Sequence, residues 1–582
     1  MRKRSLIILS GFISTIAVVL SCNDTFLEEK PRGVFTENIL ISRQGIEGML
    51  IGAYSLLDGA GGPTGNWFAA ASNWVFGDVS SDDAYKGTDA GDQIEINPIE
   101  RYESLPTNDY FNQKWRHQYD GVSRSNDVLR LIEQVKDIPD ADKSRLIAEA
   151  RFLRGYYQFE AKRMWNNVPF IDEKTVSFTD FSTAKVPNNI DIWPMIEADL
   201  QHAYDNLPEV LPQVGRVNKW AAGAFLAKVY LYQQKFSAAK PLLDLIIVNG
   251  KTTKGLPYAL NEEFHTNFRT TGNNSAESVF AVQNSVNDGA NAANARQGDV
   301  LNFTYTGGPG GCCGFHQPSQ NLVNAFQTDA GGLPLIATFN DGAGVKSDQG
   351  VLSSQPFTAH TGNLDPRLDW TVGRRGISHL DWGPHPGSSW IRDQVYGGPY
   401  SPKKNHYYKS EQGVNTDGSS WTSGYIALNN NLMRFAEVLL MGAEVEVEVG
   451  SLEKAREYVN RIRTRAKNPA GFVKMPDGNP AAAYVINEYS ATWTDQVAAR
   501  KAVRFERRLE LAMEGHRFFD LVRWGIAAET INKYLESEKS KRQYLIGASF
   551  KPGISEYYPI PEQQIILSSI GGVPTLQQNP GY

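Results

Sequence analysis

Cysteine is almost missing from this chain: three in 582 residues, at Cys22, Cys312 and Cys313. So low a count leaves no framework of several disulfides, and no CxxC or HxxxH spacing accompanies the adjacent pair, so a zinc site is not expected there. Histidine is scarce as well, with nine in all and none in an HExxH motif, which removes the usual signature of a zinc hydrolase. A GxSxG elbow and a phosphate-cradling glycine loop are also absent. There is no basic excess: 58 Lys and Arg stand against 64 Asp and Glu, a formal charge of −6, the wrong sign for a nucleic-acid or anionic-surface binder. Beyond the first twenty residues no apolar run is long enough to cross a bilayer, which takes about 20 residues; "LLDLIIV" is short and "FLAKVYLY" is interrupted by lysine.

What the N-terminus does have is Arg2, Lys3 and Arg4, then an apolar stretch from Leu6 to Leu20 ending in "VVLSC" at Cys22. Basic start, apolar middle and small residues before the break are the anatomy of an export signal covering residues 1–21. A lone cysteine directly after "VLS" resembles a bacterial lipobox, in which the leader is cut before the cysteine and the thiol takes a lipid. Cys22 is then the anchor, residues 22–35 a polar tether, and the rest a body anchored to a membrane without spanning it. Loss of the leader removes three basic residues and no acidic one, leaving 55 against 64 and a net charge of −9. In such an extracytoplasmic setting disulfides persist. Cys312 and Cys313 have only each other, and either close a ring between neighbours in "GGPGGCCGFHQ" or stay as small packed thiols.

Helical periodicity is plain in the first half, residues 36–254. Apolar residues at 146, 150, 153, 157, 161 and 164 of "LIAEARFLRGYYQFEAKRMW" predict one buried stripe, with Asp140 as N-cap and "NNVP" as the stop. "YFNQKWRHQYDGVSRSNDVLRLIEQV" reads as its antiparallel neighbour. "FLAKVYLYQQKFSAAKPLLDLI" and "FAEVLLMGAEVEVEVGSLEKAREYVNRI" each show a helix, a tight break and a second helix, with Phe236 followed by Ala239 and Leu452 by Ala455. Small residues there let paired helices approach closely, as in tetratricopeptide units of about 34 residues. The remainder, 255–582, opens with a glycine-, asparagine- and aromatic-rich stretch to about 430, and residues 61–87 share that texture. Loops this long in a compact protein are functional or disordered, and their aromatics argue against disorder.

Taken together, "CNDTFLEEKPRG", "EARFLRGYYQFEAKRMWNNVPFI", "NKWAAGAFLAKVYLYQQKF", "DPRLDWTV", "LMRFAEVLLMGAEV", "FERRLELAMEGHRFFDLVRWG", "YYPIPEQQI" and "QQNPGY" resemble the SusD/RagB family of outer-membrane lipoproteins from the Bacteroidetes. The matches are co-linear and span nearly the whole mature chain. The resemblance implies a mainly α fold, a tetratricopeptide-like helix-pair scaffold with long irregular insertions forming a ligand-binding face. It also implies a SusC-like TonB-dependent transporter as partner, location at the cell outer membrane, and an oligosaccharide ligand that is held before import and not altered. Some members instead carry peptides or other nutrients.

A neutral sugar offers hydroxyls and flat C–H faces, so its binder supplies rings and a few polar partners. The candidates are Trp67, Trp74, Asp82 and Asp83 from the first loop, and Tyr305, Phe315 and His316 around Cys312 and Cys313. Trp382, Trp390 and Tyr396 come from "HLDWGPHPGSSWIRDQVYGG". A stiff turn at the cysteine pair would present its rings at little ordering cost. No cofactor is expected, although Asp78, Asp82 and Asp83 are possible calcium ligands without EF-hand spacing. The charged segment 505–525 is read as architecture, with Arg507, Glu510, Glu514 and Arg517 forming an ion-pair ladder on a helix. A rival of another class is an extracytoplasmic glycosidase with two carboxylates about 5 to 9 Å apart, to which no linear motif points.

Overall fold

A computed structural model describes residues 40–59, 66–177 and 180–582. The leader, Cys22, the tether and residues 61–65 lie outside the described residues. The N-terminal half is built from α1 (Arg43–Ser55), α2 (Asp109–Ile132), α3 (Asp140–Trp165), α4 (Trp193–Asn206), α5 (Lys219–Tyr232) and α6 (Phe236–Asn249). Each packs on its neighbour in sequence, as expected of helix pairs. The chain returns to helices with α7 (Phe435–Val449), α8 (Leu452–Lys467), α9 (Gln496–Leu511), α10 (Arg517–Arg523) and α11 (Ala527–Glu538). Helix α7 packs on α6, which joins the two helical parts.

Local chemistry sets the helix ends. Asn108 and Asn218 accept backbone N–H bonds at the starts of α2 and α5 (3.0 and 2.9 Å), meeting donors that have no partner within the helix. Asp140 proves to be the first residue inside α3, with Pro139 at the cap; Asp140 and Asp142 sit in its first turn and Lys162 and Arg163 in its last, the charge order that suits a helix dipole. The six stripe positions of α3 are buried, but so are Phe152, Tyr156, Phe159 and Glu160 on other sides. The single stripe underestimates the burial because α2, α4 and α5 surround α3: Trp115 meets Trp165 edge to face at 5.0 Å and Phe152 meets Phe225 at 5.5 Å. Ala239 and Ala455 are fully buried between their helices.

The irregular part is held by short ladders. Strand β1 (Ala84–Gly87) pairs antiparallel with β3 (Phe315–Pro318), bringing Gly87 opposite Phe315. Strand β2 (Ser278–Val282) pairs antiparallel with β4 (Asn430–Arg434), which runs directly into α7.

Segment 505–525 is architecture, but not a single-helix ladder. Helix α9 stops at Leu511, Met513 and Gly515 take positive φ (62° and 75°), and a Cβ on Gly515 would stand 1.9 Å from the Ser72 carbonyl oxygen, a contact no side chain tolerates. The charges therefore pair across the molecule. Glu510 meets Arg367 and Arg434 (3.0 and 2.6 Å), Glu514 meets Arg434 and Lys404 (2.8 and 2.6 Å), and Arg507 meets Asp520 and Glu437 (2.6 and 2.9 Å). Apart from partly exposed Glu514 these groups are buried, where a charge is tolerated only with its partner.

Candidate functional site

Segment 298–305 is the spine of the irregular face. On one side the Trp74 indole donates to the Gly298 carbonyl (3.1 Å) and Ser72 to Asp299 (2.6 Å). On the other, Cys313 and Phe315 both donate backbone N–H to Leu301 O (3.2 Å each), and Gly314 donates to Phe303 O (2.9 Å). The cysteine loop and the helical turns of residues 66–79 are thus pinned to one strip of chain. A disulfide joins Cys312 to Cys313, resolving the two alternatives for the pair. Gly310 has φ 77°, and a Cβ there would lie 2.3 Å from that of Phe303, so the turn needs a residue without one.

Tyr305 stands at the end of this strip, 38% exposed, with its N–H donated to Trp390 O (3.0 Å) and the Arg392 guanidinium 5.2 Å from its ring centroid. Arg392 is fixed in turn by Asp89 and Asp92 (2.8 and 2.6 Å). Next to Asp92, the Gln93 side-chain oxygen accepts from the Trp67 indole and from the Tyr110 hydroxyl (3.1 and 2.8 Å). Trp67 is half-buried against Phe68. These links run from Trp67 through Gln93 and the adjoining Asp92 to Arg392, Tyr305 and the disulfide loop, a relay of rings and polar groups.

The far side of the glycine turn carries further rings. Gly310 donates to the Tyr407 hydroxyl (2.8 Å), and its carbonyl accepts from Thr422 (3.0 Å). Half-buried Trp382 donates to Tyr407 O (3.1 Å). Beside Thr422, Trp421 is 41% exposed and packs on Tyr425. Trp421, Arg392 and Gln93 were not singled out in the sequence; "DGSSWTSG" around Trp421 has the glycine-serine texture of the other ring-bearing loops, whereas nothing local marks Arg392 or Gln93.

Burial corrects the expectation for the other candidates. Trp74 and Phe315 are wholly enclosed and meet edge to face at 6.0 Å. Beside them His316 Nε2 lies 3.0 Å from Asp78 Oδ2, both buried; burial pushes the Asp78 carboxyl up, against His316. Asp82 is bound by Arg517 and Arg508 and Asp83 by Arg508 (2.8, 3.0 and 2.8 Å). Although burial opposes it, Arg508 and Arg517 hold the Asp82 carboxyl down to about 2. Trp390 is buried against His379 and His385. Tyr396 stacks on Tyr544 at 4.2 Å and donates to Asn97. Cys313 is buried while Cys312 is partly open. In this structure these enclosed residues support the face from behind, and Trp67, Tyr305, Cys312 and Trp382 are the candidates left within reach of solvent. Asp78 is paired with His316, and Asp82 and Asp83 with arginine.

Comparison with known proteins bears on the whole chain. The profile described as the SusD family matches residues 276–582, and one described as starch-binding associating with outer membrane matches residues 25–231. SusD-like protein P25 of Formosa agariphila is 24% identical over 554 residues, covering 89% of this chain and 90% of its own length. Among solved structures, a laminarin binding SusD-like protein superposes with a TM-score of 0.63 at 23% identity, covering 93% of this chain and all of the other. Surface glycan-binding protein A from Bacteroides thetaiotaomicron, in complex with laminarihexaose, does so with a TM-score of 0.60 at 20% identity over 92% of this chain and 99% of its own. These likenesses establish a shared mainly helical fold.

Proposed function

The chain belongs to the SusD family, and from that membership together with the geometry of the irregular face we propose that it binds neutral oligosaccharides at the cell surface and passes them on unaltered. The observation that carries this is the exposed Tyr305 ring, set beside the disulfide loop and steadied by Arg392. Sugar C–H faces stack on such a ring, and the neighbouring amide and hydroxyl groups meet sugar hydroxyls. A face ordered before the ligand arrives has little left to order on binding.

Lipid attachment at Cys22 tethers the body to the outer membrane, and a SusC-like TonB-dependent transporter receives the glycan. The match to a profile described as associating with outer membrane supports this placement. Relatives named for glycan, laminarin and laminarihexaose binding favour a binder over a hydrolase and make β-glucans the first probe.

Native-gel affinity electrophoresis in laminarin, soluble starch, xylan and hydroxyethylcellulose tests the reading. Retardation in at least one gel is expected, strongly reduced by Tyr305→Ala. Free migration in all four, or retardation indifferent to Tyr305, overturns it.

A further inference from the structure

A second cleft, separate from the disulfide face, opens where α3 ends, α4 begins and the C-terminal tail returns. Its volume is about 680 Å³. None of its lining residues belongs to the face described above. Six of them are amides: Asn166, Asn167, Asn188, Asn189, Gln577 and Gln578.

The amides divide into two groups. Asn188 donates to Asn167 O and Gln577 O (3.0 and 2.8 Å) and accepts from Gln577 N (2.8 Å). Gln578 exchanges bonds with both backbone groups of Ile560 (2.7 Å each). Asn167 donates to Asn579 Oδ1 (3.1 Å), and these three are spent on fixing the walls. Asn189 is exposed and the Gln577 side chain makes no bond within the described residues, while Asn166 uses only its oxygen, accepting from Lys162 (3.1 Å). Unspent amides donate and accept at neighbouring atoms, which is what a hydroxyl-rich ligand needs.

Two further features narrow the ligand. Lys162 pairs with Asp191 at 3.1 Å, so the one cation and the one anion of the lining neutralise each other. Trp193 lines the same cleft, half-buried, packed towards Phe159 and Tyr232 with the Lys162 ammonium 5.6 Å from its ring centroid, and it is the aromatic member of the lining. A neutral, amide-rich wall with a ring beside it suits neither a phosphate nor a charged peptide terminus.

We propose that this cleft is a second binding site for a neutral saccharide, with Trp193 as the stacking surface and Asn189 and Gln577 as hydroxyl partners. It gives the protein two places to hold one glycan chain or two.

Saturation-transfer NMR with laminarihexaose, maltohexaose and cellohexaose tests it. The background is the Trp67→Ala/Tyr305→Ala variant, which removes two rings of the first face; Asn189→Ala/Gln577→Ala alone reports that first face by itself. The background variant is expected to keep saturation transfer to at least one sugar. Adding Trp193→Ala, or separately Asn189→Ala/Gln577→Ala, is expected to reduce that transfer about fivefold or more, with the melting temperature of the amide variant unchanged. Since Asn189 and Gln577 hold nothing through their side chains, the amide variant decides the matter should Trp193→Ala fail to fold. A background variant silent towards all three sugars, or a transfer that survives the amide substitutions, overturns the second site.

Discussion

Arg517 grips Asp82 with two parallel bonds, Nε to Oδ1 at 2.8 Å and Nη2 to Oδ2 at 3.1 Å, joining the first irregular loop to α10. The two residues are 435 positions apart in sequence. Breaking a buried pair from one side leaves a charge with no partner, which costs ~3–5 kcal/mol. Asp82→Ala is therefore expected to lower unfolding free energy by about that amount, read from denaturant titration. Affinity for glycan, measured on the folded fraction, is expected to stay near wild type; a large affinity loss at full stability would make Asp82 a ligand contact after all.

Acid should unfold this protein steeply below pH about 4.5. Burial resists the charge on Asp82, Glu514 and Asp520, yet Arg508 with Arg517, Arg434 with Lys404, and Arg507 with Arg523 hold their carboxyls down to about 2. Lowered carboxylates contribute stability above their unfolded values, and that contribution disappears as pH falls through the folded ones. Burial also holds His406 and His516 down to about 4 and His117 and His385 to about 3. Their unfolded forms take up protons first, so they too favour unfolding as pH drops from 6.5 towards those values. Circular dichroism from pH 6 to pH 2 should show a cooperative loss of helix between about 4.5 and 2; a flat signal to pH 2 contradicts the pairing.

Trp74→Ala tests the assignment of that ring to support. Trp74 is enclosed, bonded to Gly298 and packed on Phe315. Emptying such a position costs ~3–5 kcal/mol. A drop of that order in denaturant stability is expected, and a change of less than about 1 kcal/mol would place the ring in a looser, accessible setting.

Replacing Cys312 and Cys313 together with serine opens the ring of the loop beside Tyr305. Ligand affinity is expected to fall several-fold through lost preorganisation, while the helical circular dichroism signal is retained. Equal affinities of the two proteins in the same calorimetric titration would detach the disulfide from the ligand face.

The helical scaffold was legible because its signal is local. The spacing of Leu146, Leu153, Tyr157 and Met164 predicts α3, and Ala239 and Ala455 mark helix contacts that the structure contains. The face was legible only in part. Tyr305 and Trp67 stand out as rings in glycine-rich sequence, but so do Trp74 and Trp390, and what separates them is burial by segments hundreds of residues away. Asp82 and Asp83 look like solvent-facing loop acids until Arg508 and Arg517 arrive from the other end of the chain. Arg392 has the converse history: it becomes part of the face only because Asp89 and Asp92 draw it over Tyr305.

Isothermal titration of laminarihexaose into wild type and into Trp67→Ala/Tyr305→Ala, followed by chromatography of the recovered sugar, probes the central claim most directly. Expected are measurable heat with wild type, affinity at least about tenfold weaker in the double variant, and a hexasaccharide recovered intact. Equal affinity in the two proteins, or shortened sugar in the wild-type cell, would contradict a ring-bearing face that holds glycan without altering it.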